Sequence, residues 1–274
     1  MVTKQDIIDG IRSLGLSSSI VCLHSSLKSF GHVEGGADTV VQAFVQEGCT
    51  LVVPTFLFDS QVPAPAGRVV ARNGGEAEET KGRSLQDAAS WNPSSKKIAA
   101  GMGAIPQAVL NTPGAVRGDH PLNSISALGP EAKELIAAQE PLDVYGPYRR
   151  AYERGGYLLL IGVDLTKATP LHFSEQVAGR NSFRRWALGE DGEILEVEIG
   201  SCSNGFGKFD GVVADIEARV RVGESLWRMF PLQEFIDRTS REIVENPQIT
   251  HCHRPTCLRC DDAVVGGPIL PGKH

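Results

Sequence analysis

The stretch "SIVCLHSSLKSFGHVEGGADTVVQAFVQEGCTLVVPTF", residues 19–56, decides the fold class. It begins with an apolar run of strand length at 19–26 and ends with another at 49–56. Between them, residues 36–48 carry apolar side chains at helical spacing. A strand, a helix and a strand in succession indicate an α/β protein. The residues predicted to share the buried helix face are Val40, Val41, Phe44 and Val45.

The rest of the chain continues this alternation. A polar, Pro- and Gly-rich stretch at 59–95 lacks a clear pattern, and a stretch of that length is typical of a functional loop region. Because the elements are irregularly spaced, we expect a mixed sheet flanked by helices. The other predicted elements are helices at 96–111 (stopped by Pro113), 129–139 and 231–246 (the last helix, with Pro231 near its start), and strands at 155–164 and 193–201.

Composition narrows the range of partners. The chain has 274 residues, 41% of them hydrophobic, and a formal net charge of -6. An acidic chain lacks the basic surface that nucleic acid requires and would suit a cationic substrate, although plain solubility explains the charge better. The sequence has neither a transmembrane-length apolar run nor a signal-peptide core. We expect a cytoplasmic monomer or homodimer without nucleic-acid or membrane partners. Its organisation is predicted to be one domain over 1–274, with a Cys/His-containing tail at about 247–274.

Two loops carry residues suited to anion binding. "HSSLKSFG" at 24–31 follows the first strand, where small hydroxyl residues and glycine let backbone N–H groups approach a phosphate. "VRGDHPLNSISALGP" at 116–130 adds an arginine and a histidine. Neither loop matches a known phosphate fingerprint, so an ordinary connection explains each equally well.

A third segment, "TPLHFSEQ" at 169–176, pairs a histidine with a carboxylate. Thr169 is a suitable N-cap and Pro170 suits the first helical position. His172 and Glu175 are then three residues apart on one helix face and can touch. Such a pair serves a general base, but it also serves simply to hold a helix start.

The three segments, in this order, resemble the aminoglycoside 3-N-acetyltransferases. The matching stretches are "CLHSSLKSFGHVEGGADTVVQAFVQEGCTLVVPTF", "VRGDHPLNSISALGP" and "YLLLIGVDLTKATPLHFSE". The resemblance covers about residues 4 to 210. It implies the family's own α/β fold, which is distinct from that of the GNAT acetyltransferases.

The resemblance also implies the chemistry and the roles of individual residues. Acetyl-coenzyme A would donate an acetyl group directly to the 3-amino group of the 2-deoxystreptamine ring, with His172 as base and Glu175 as its partner, and no metal would be required. Glu198 and Asp210 are candidates for contacts with the cationic substrate, together with Thr169. The residues expected to hold coenzyme A are His24, Ser25, Ser26, Leu27, Phe30, Gly31, Pro54, Thr55, Phe56, Arg117, His120 and Ser124. The alternatives are a relative that acetylates another amine, a coenzyme A-binding protein without catalysis, and a metal-dependent hydrolase.

The tail contains a cluster of soft ligands, "HCHRPTCLRCD" at 251–261. Cys257 and Cys260 have zinc-knuckle spacing, and a histidine could complete a tetrahedron. No second such pair is present, and Cys202 stands alone. The preferred interpretation is a reduced tail that chemistry does not need. A structural zinc site and a redox-sensitive thiol pair are the alternatives.

Overall fold

A computed structural model describes residues 1–270. The helices are α1 (Lys4–Ser13), α2 (Gly36–Gln46), α3 (Glu76–Glu79), α4 (Ala104–Asn111), α5 (Ala132–Ile136), α6 (Gly146–Glu153), α7 (Pro170–Val177), α8 (Leu232–Glu245) and α9 (Leu258–Val264). The strands are β1 (Ile20–Ser25), β2 (Thr50–Pro54), β3 (Gln61–Val62), β4 (Val116–Arg117), β5 (Ile125–Leu128), β6 (Tyr157–Ile161), β7 (Phe183–Leu188), β8 (Ile194–Ile199), β9 (Ala218–Val222) and β10 (Ser225–Pro231).

The larger sheet has seven strands in the order β4-β5-β2-β1-β6-β10-β9. Strands β2, β1 and β6 are parallel, and the flanking pairs are antiparallel. The predicted mixed sheet flanked by helices is therefore confirmed. Because the carboxyl ends of parallel strands meet at one edge, the loops after β1, β2 and β6 converge there.

Both faces of this sheet are buried. In β1, Val21 and Leu23 face a core formed with α1, α2 and α4, whereas Ile20 and Cys22 face a core formed with α5 to α8. Double burial explains why the parallel strands are continuous apolar runs in the sequence. A smaller antiparallel sheet, in the order β3-β7-β8, packs beside the large one.

Several predicted helix details were wrong. The helix predicted at 96–111 begins only at Ala104, because Gly103 has a φ of 90°, which interrupts helical geometry. Val45 is 40% exposed and lies off the buried face of α2. Pro170 does begin α7, but Thr169 has helical angles and its side chain makes no cap bond.

The two stretches without a clear pattern also acquire structure. The 59–95 region contributes β3 to the small sheet and the short helix α3. The described part of the tail, residues 247–270, contains α9, so α8 is not the last helix. Among residues 1–270, no helix combines the length and apolar composition needed to cross a bilayer.

Candidate active site

A cavity of about 480 Å³ lies where the three parallel strands end. We call it the strand-end cleft. Its walls are the β1 loop, the end of β2, the turn before α4 and the segment between β6 and α7. The predicted residues that line it are His24, Ser25, Ser26, Leu27, Pro54, Phe56 and Thr169.

The strand-end cleft is suited to an anionic, partly apolar ligand. The Nε2 atom of His24 and the Oγ atom of Ser25 are buried and have no hydrogen-bond partner within the described chain. Burial, reinforced by the neighbouring His172, lowers the pKa of His24 to about 3, so this ring is neutral. Lys28 and Lys167 place positive charge at the walls. Unpartnered polar atoms beside lysines fit a ligand that carries phosphates and amides.

A second cavity of about 760 Å³ adjoins the strand-end cleft and shares Phe56, Lys167 and Thr169 with it. We call it the outer cavity. His172 lines it, one turn of helix from the shared Thr169. Its outer wall, as we define it, comprises residues 74–83, 199–203 and 254–259.

His172 and Glu175 form the contact that their spacing predicts. The distance from His172 Nδ1 to Glu175 Oε2 is 2.8 Å. An ionised carboxylate can only accept hydrogen bonds, so Nδ1 carries a proton, and in the neutral form of the ring Nε2 is the nitrogen with the lone pair. The side chain of His172 is 11% exposed, which leaves part of the ring in contact with the outer cavity.

Glu175 is held ionised by a set of buried donors. Ser201 Oγ donates to Oε2 at 2.6 Å, and Arg180 Nη1 donates to Oε1 at 2.9 Å. Burial alone would raise the pKa of Glu175, but the bonds from His172 and Ser201 and the charge of Arg180 lower it below its usual range. Arg180 is itself anchored by Thr250 Oγ1 at 2.7 Å and the Pro247 carbonyl at 2.8 Å. The carboxylate is therefore charged and fixed in place at neutral pH.

The imidazole ring is also fixed by its packing. Tyr145 stacks on His172 with centroids 5.9 Å apart, and Phe206 lies at 4.8 Å on another side. Gly200 passes directly beside the ring, and a Cβ atom there would lie 2.8 Å from His172 Cγ and 2.5 Å from the Tyr145 hydroxyl. Packing and hydrogen bonding together leave the ring one orientation.

Several predicted contact residues lie elsewhere. Phe30 is buried against Trp227, and Gly31 lies against Glu224. Thr55 is buried and bonds to Ser124 and to the hydroxyl of Ser126. None of these lines either cavity among the described residues.

Polar side chains of the "VRGDHPLNSISALGP" motif at 116–130 likewise form hydrogen bonds within the protein. The Arg117 guanidinium donates to the carbonyls of Thr55, Ser95 and Lys97 and to Ser124 Oγ. His120 is fully buried, with Nε2 2.9 Å from the Glu198 carbonyl and Nδ1 accepting two backbone N–H groups. These side chains brace the loops behind the site, and the structure does not place them on the cavity walls.

The proposed acidic contacts have partners of their own. Glu198 is buried, with Oε1 2.9 Å from Arg184 Nη1. Asp210 pairs with Arg228 Nη2 at 2.8 Å and does not line the outer cavity. The carboxylates that do line it are Glu78 and Glu79.

Glu78 and Glu79 were missed because the 59–95 stretch shows no sequence pattern. Burial alone would raise the pKa of Glu79, but the bond from Arg185 and the charges of Arg259 and Arg185 lower it to about 2. Arg259 belongs to α9, so this ion pair ties the tail to α3 at 2.6 Å. The tail was expected to be dispensable, yet Arg254 to Arg259 form one side of the outer cavity.

Comparisons with known proteins identify the family of the chain. The sequence profile of one family, described as aminoglycoside 3-N-acetyltransferase, matches residues 22–243. Aminoglycoside N(3)-acetyltransferase III of Salmonella sp is 32% identical over 250 residues, which are 81% of this chain and 82% of that protein. The aminoglycoside N(3')-acetyltransferase-like protein YokD of Bacillus subtilis is 28% identical over 269 residues, 89% of this chain and 93% of that one.

A solved structure shows the same fold. The apoenzyme of aminoglycoside acetyltransferase AAC(3)-IVa superimposes with a TM-score of 0.76 at 21% identity, covering 97% of both chains.

Proposed function

The chain belongs to the aminoglycoside 3-N-acetyltransferase family, and we propose that it transfers an acetyl group from acetyl-coenzyme A to the 3-amino group of the 2-deoxystreptamine ring of an aminoglycoside. The observation that carries the proposal is the His172–Glu175 pair at 2.8 Å, with His172 on the wall of the outer cavity one turn of helix from Thr169, which both cavities share. Two adjoining cavities suit a reaction that brings two substrates together at one base.

The strand-end cleft would hold coenzyme A. Its lysines and unpartnered polar atoms suit the phosphates and amides of that molecule, and Pro54 and Phe56 supply apolar surface. Acetyl-coenzyme A supplies the activated acetyl group when bound. The outer cavity, lined by Glu78 and Glu79, would take the polyamine.

His172 would act as general base. Its Nε2 lone pair would take the proton from the amine as the nitrogen attacks the thioester carbonyl carbon. The new C–N bond forms, the C–S bond breaks, and the departing thiolate takes a proton from the imidazolium, which returns His172 to its neutral form. This direct transfer involves no acetylated side chain.

Glu175 would serve the same step from the other side of the ring. Because it is already ionised and anchored by Arg180 and Ser201, it stabilises the imidazolium that forms without having to reorganise. The acetyl transfer itself requires no metal in this scheme.

A thiol-release assay tests the proposal. The purified protein is mixed with acetyl-coenzyme A and with a panel of aminoglycosides and simpler amines, and free coenzyme A thiol is measured. We expect release with 2-deoxystreptamine aminoglycosides and acetylation at N3 by NMR of the product. Turnover only with simple amines would show that the substrate is another amine and not an aminoglycoside. Absence of release with every amine, from a protein that binds coenzyme A, would overturn the enzymatic assignment.

A further inference from the structure

Four cysteine thiols converge at the base of the outer wall. Their Sγ atoms all lie within 4.8 Å of one another. Cys202 follows β8, Cys252 lies in the segment after α8, and Cys257 and Cys260 lie at and within the start of α9. Cys202 was expected to stand alone, and the structure corrects that expectation. The fold supplies the fourth ligand that the tail lacks.

The spacing of the sulfur atoms suits a metal. Zinc binds thiolate at about 2.3 Å, so the sulfur atoms of a tetrahedral site are about 3.8 Å apart. Small side-chain rotations would bring the four sulfur atoms to that separation. A disulfide would need only two sulfur atoms at about 2 Å, and all six cysteines are free. Convergence of four thiols on one point is what a closed tetrahedral site requires.

The groups around the four cysteines form hydrogen bonds that bear on which atoms could bind a metal. The backbone N–H of Cys252 donates to Cys260 Sγ at 3.3 Å, the kind of bond that orients a sulfur ligand. Both ring nitrogens of His251 have oxygen partners, namely the Cys252 carbonyl at 2.7 Å and Asp261 Oδ1 at 3.0 Å. The four ligand atoms that converge are all cysteine sulfur atoms, so the fourth member of the cluster is Cys202 and not a histidine, as one alternative from the sequence had it.

We propose that Cys202, Cys252, Cys257 and Cys260 bind one structural zinc ion. A site with four thiolates has no open position for water or substrate, so the ion has no direct part in acetyl transfer. It joins the β8 end to the tail: Cys202 follows Ser201, a donor to Glu175, and Cys257 lines the outer cavity. The ion would thus hold the outer wall in place, whatever amine the cavity accepts.

The test measures metal directly. The zinc content of full-length protein, purified with a reductant, is measured by inductively coupled plasma mass spectrometry. We expect one zinc ion per chain in the wild type. The variants Cys202→Ser and Cys257→Ser should each lose most of it. Cys49→Ala, a buried cysteine outside the cluster, is the matched control and should keep the wild-type content.

Two measurements on the wild type keep the test decisive if a serine variant fails to fold. Protein reloaded with Co²⁺ should show thiolate-to-cobalt charge-transfer absorption. Titration with a mercurial reagent should release zinc as the four thiols react. The proposal is overturned if folded wild type takes up less than a tenth of an equivalent of added zinc and shows no cobalt band. It is equally overturned if folded Cys202→Ser keeps the full zinc content, or if the intact mass of protein purified without reductant, measured before reduction, shows that the four thiols are paired as disulfides.

Discussion

The strand-end cleft and the outer cavity share Thr169, one turn of helix from His172, but the chain builds the cleft and the outer wall in different ways. The cleft comes from loops that directly follow β1, β2 and β6, each positioned by a regular, doubly buried strand. The outer wall combines short pieces from three distant parts of the chain, tied together by ion pairs such as Glu79 with Arg259. In the proposed function, regular elements carry the chemistry and irregular segments shape the space for the acceptor. Substitutions in the two regions should therefore change different kinetic constants.

Loss of the base should have the largest effect. His172→Ala should lower kcat by about 10²–10⁴-fold, roughly 3–5.5 kcal/mol of barrier, because general-base catalysis is removed. Coenzyme A affinity, measured by calorimetry, should stay at the wild-type value. His32→Ala, on the surface, is the control and should be fully active. If His172→Ala keeps more than about a tenth of the wild-type rate, the ring is a structural one.

Glu175→Gln should come next, with a loss of about 10- to 100-fold in kcat, or roughly 1.4–2.7 kcal/mol. The amide keeps the shape but not the charge that stabilises the protonated ring. The lowered pKa of Glu175 keeps the wild-type carboxylate ionised well below neutral pH, so its contribution persists down to acid pH. Steady-state rates across pH for both proteins check this. An identical pH profile in the variant would show that Glu175 does not act on the base.

Ser26→Glu should test the strand-end cleft without touching the base. A carboxylate beside the proposed phosphate site should weaken coenzyme A binding by about tenfold, or 1.4 kcal/mol, by like-charge repulsion and bulk. Calorimetry with coenzyme A measures the change. Ser26→Ala is the matched control for the hydroxyl. Unchanged affinity in Ser26→Glu would mean that the phosphates bind elsewhere.

Glu79→Gln should have the smallest effect, and that effect should be on KM. Losing the partly exposed ion pair with Arg259 loosens the outer wall by roughly 0.4–1 kcal/mol, about two- to fivefold in KM for the amine, while the amide oxygen can still accept a hydrogen bond from the buried Arg185. We expect kcat to change little. A fall in kcat like that of Glu175→Gln would contradict the expectation that substitutions in the outer wall change KM and not kcat.

The same variant gives a pH test of stability. The folded pKa of Glu79, about 2, lies below its unfolded value near 4.3, so its stabilisation is fully present above that value. It is lost as pH falls from about 4.3 toward 2. The Tm advantage of wild type over Glu79→Gln should therefore be constant near neutral pH and shrink in acid. An advantage that grows in acid would contradict the ion-pair assignment.

The same contrast between regions explains what could be predicted from the sequence. β1, β2 and β6 are apolar throughout because both their faces are buried, and such runs are recognisable without partners. The contact between His172 and Glu175 follows from helical spacing alone. β7 was missed because "FRRWAL" carries two arginines, and burial of arginine depends on carboxylates far away in sequence. Arg185 is fully buried and forms an ion pair with Glu79, and Arg184 forms one with Glu198.

Other features depended on contacts between distant segments. The location of Cys202 beside the tail cysteines depends on where β8 ends, which no local pattern encodes. Arg117 and His120 belong to a motif that the resemblance connects with coenzyme A, yet their polar atoms bond to backbone groups behind the site. A motif marks where chemistry gathers, but it does not distinguish the residues that touch a ligand from those that hold the loop.

Gly200 shows what this means for interpreting mutational data. It contributes no side chain to the reaction, yet any larger residue would collide with the His172 ring and the Tyr145 hydroxyl. In a saturation screen for drug survival, position 200 should be as depleted of variants as the base itself. A clinical or environmental variant that carries a substitution there would be scored as the loss of an active-site residue. The new side chain would in fact leave every reacting group in the chain and only fill the space that the His172 ring needs.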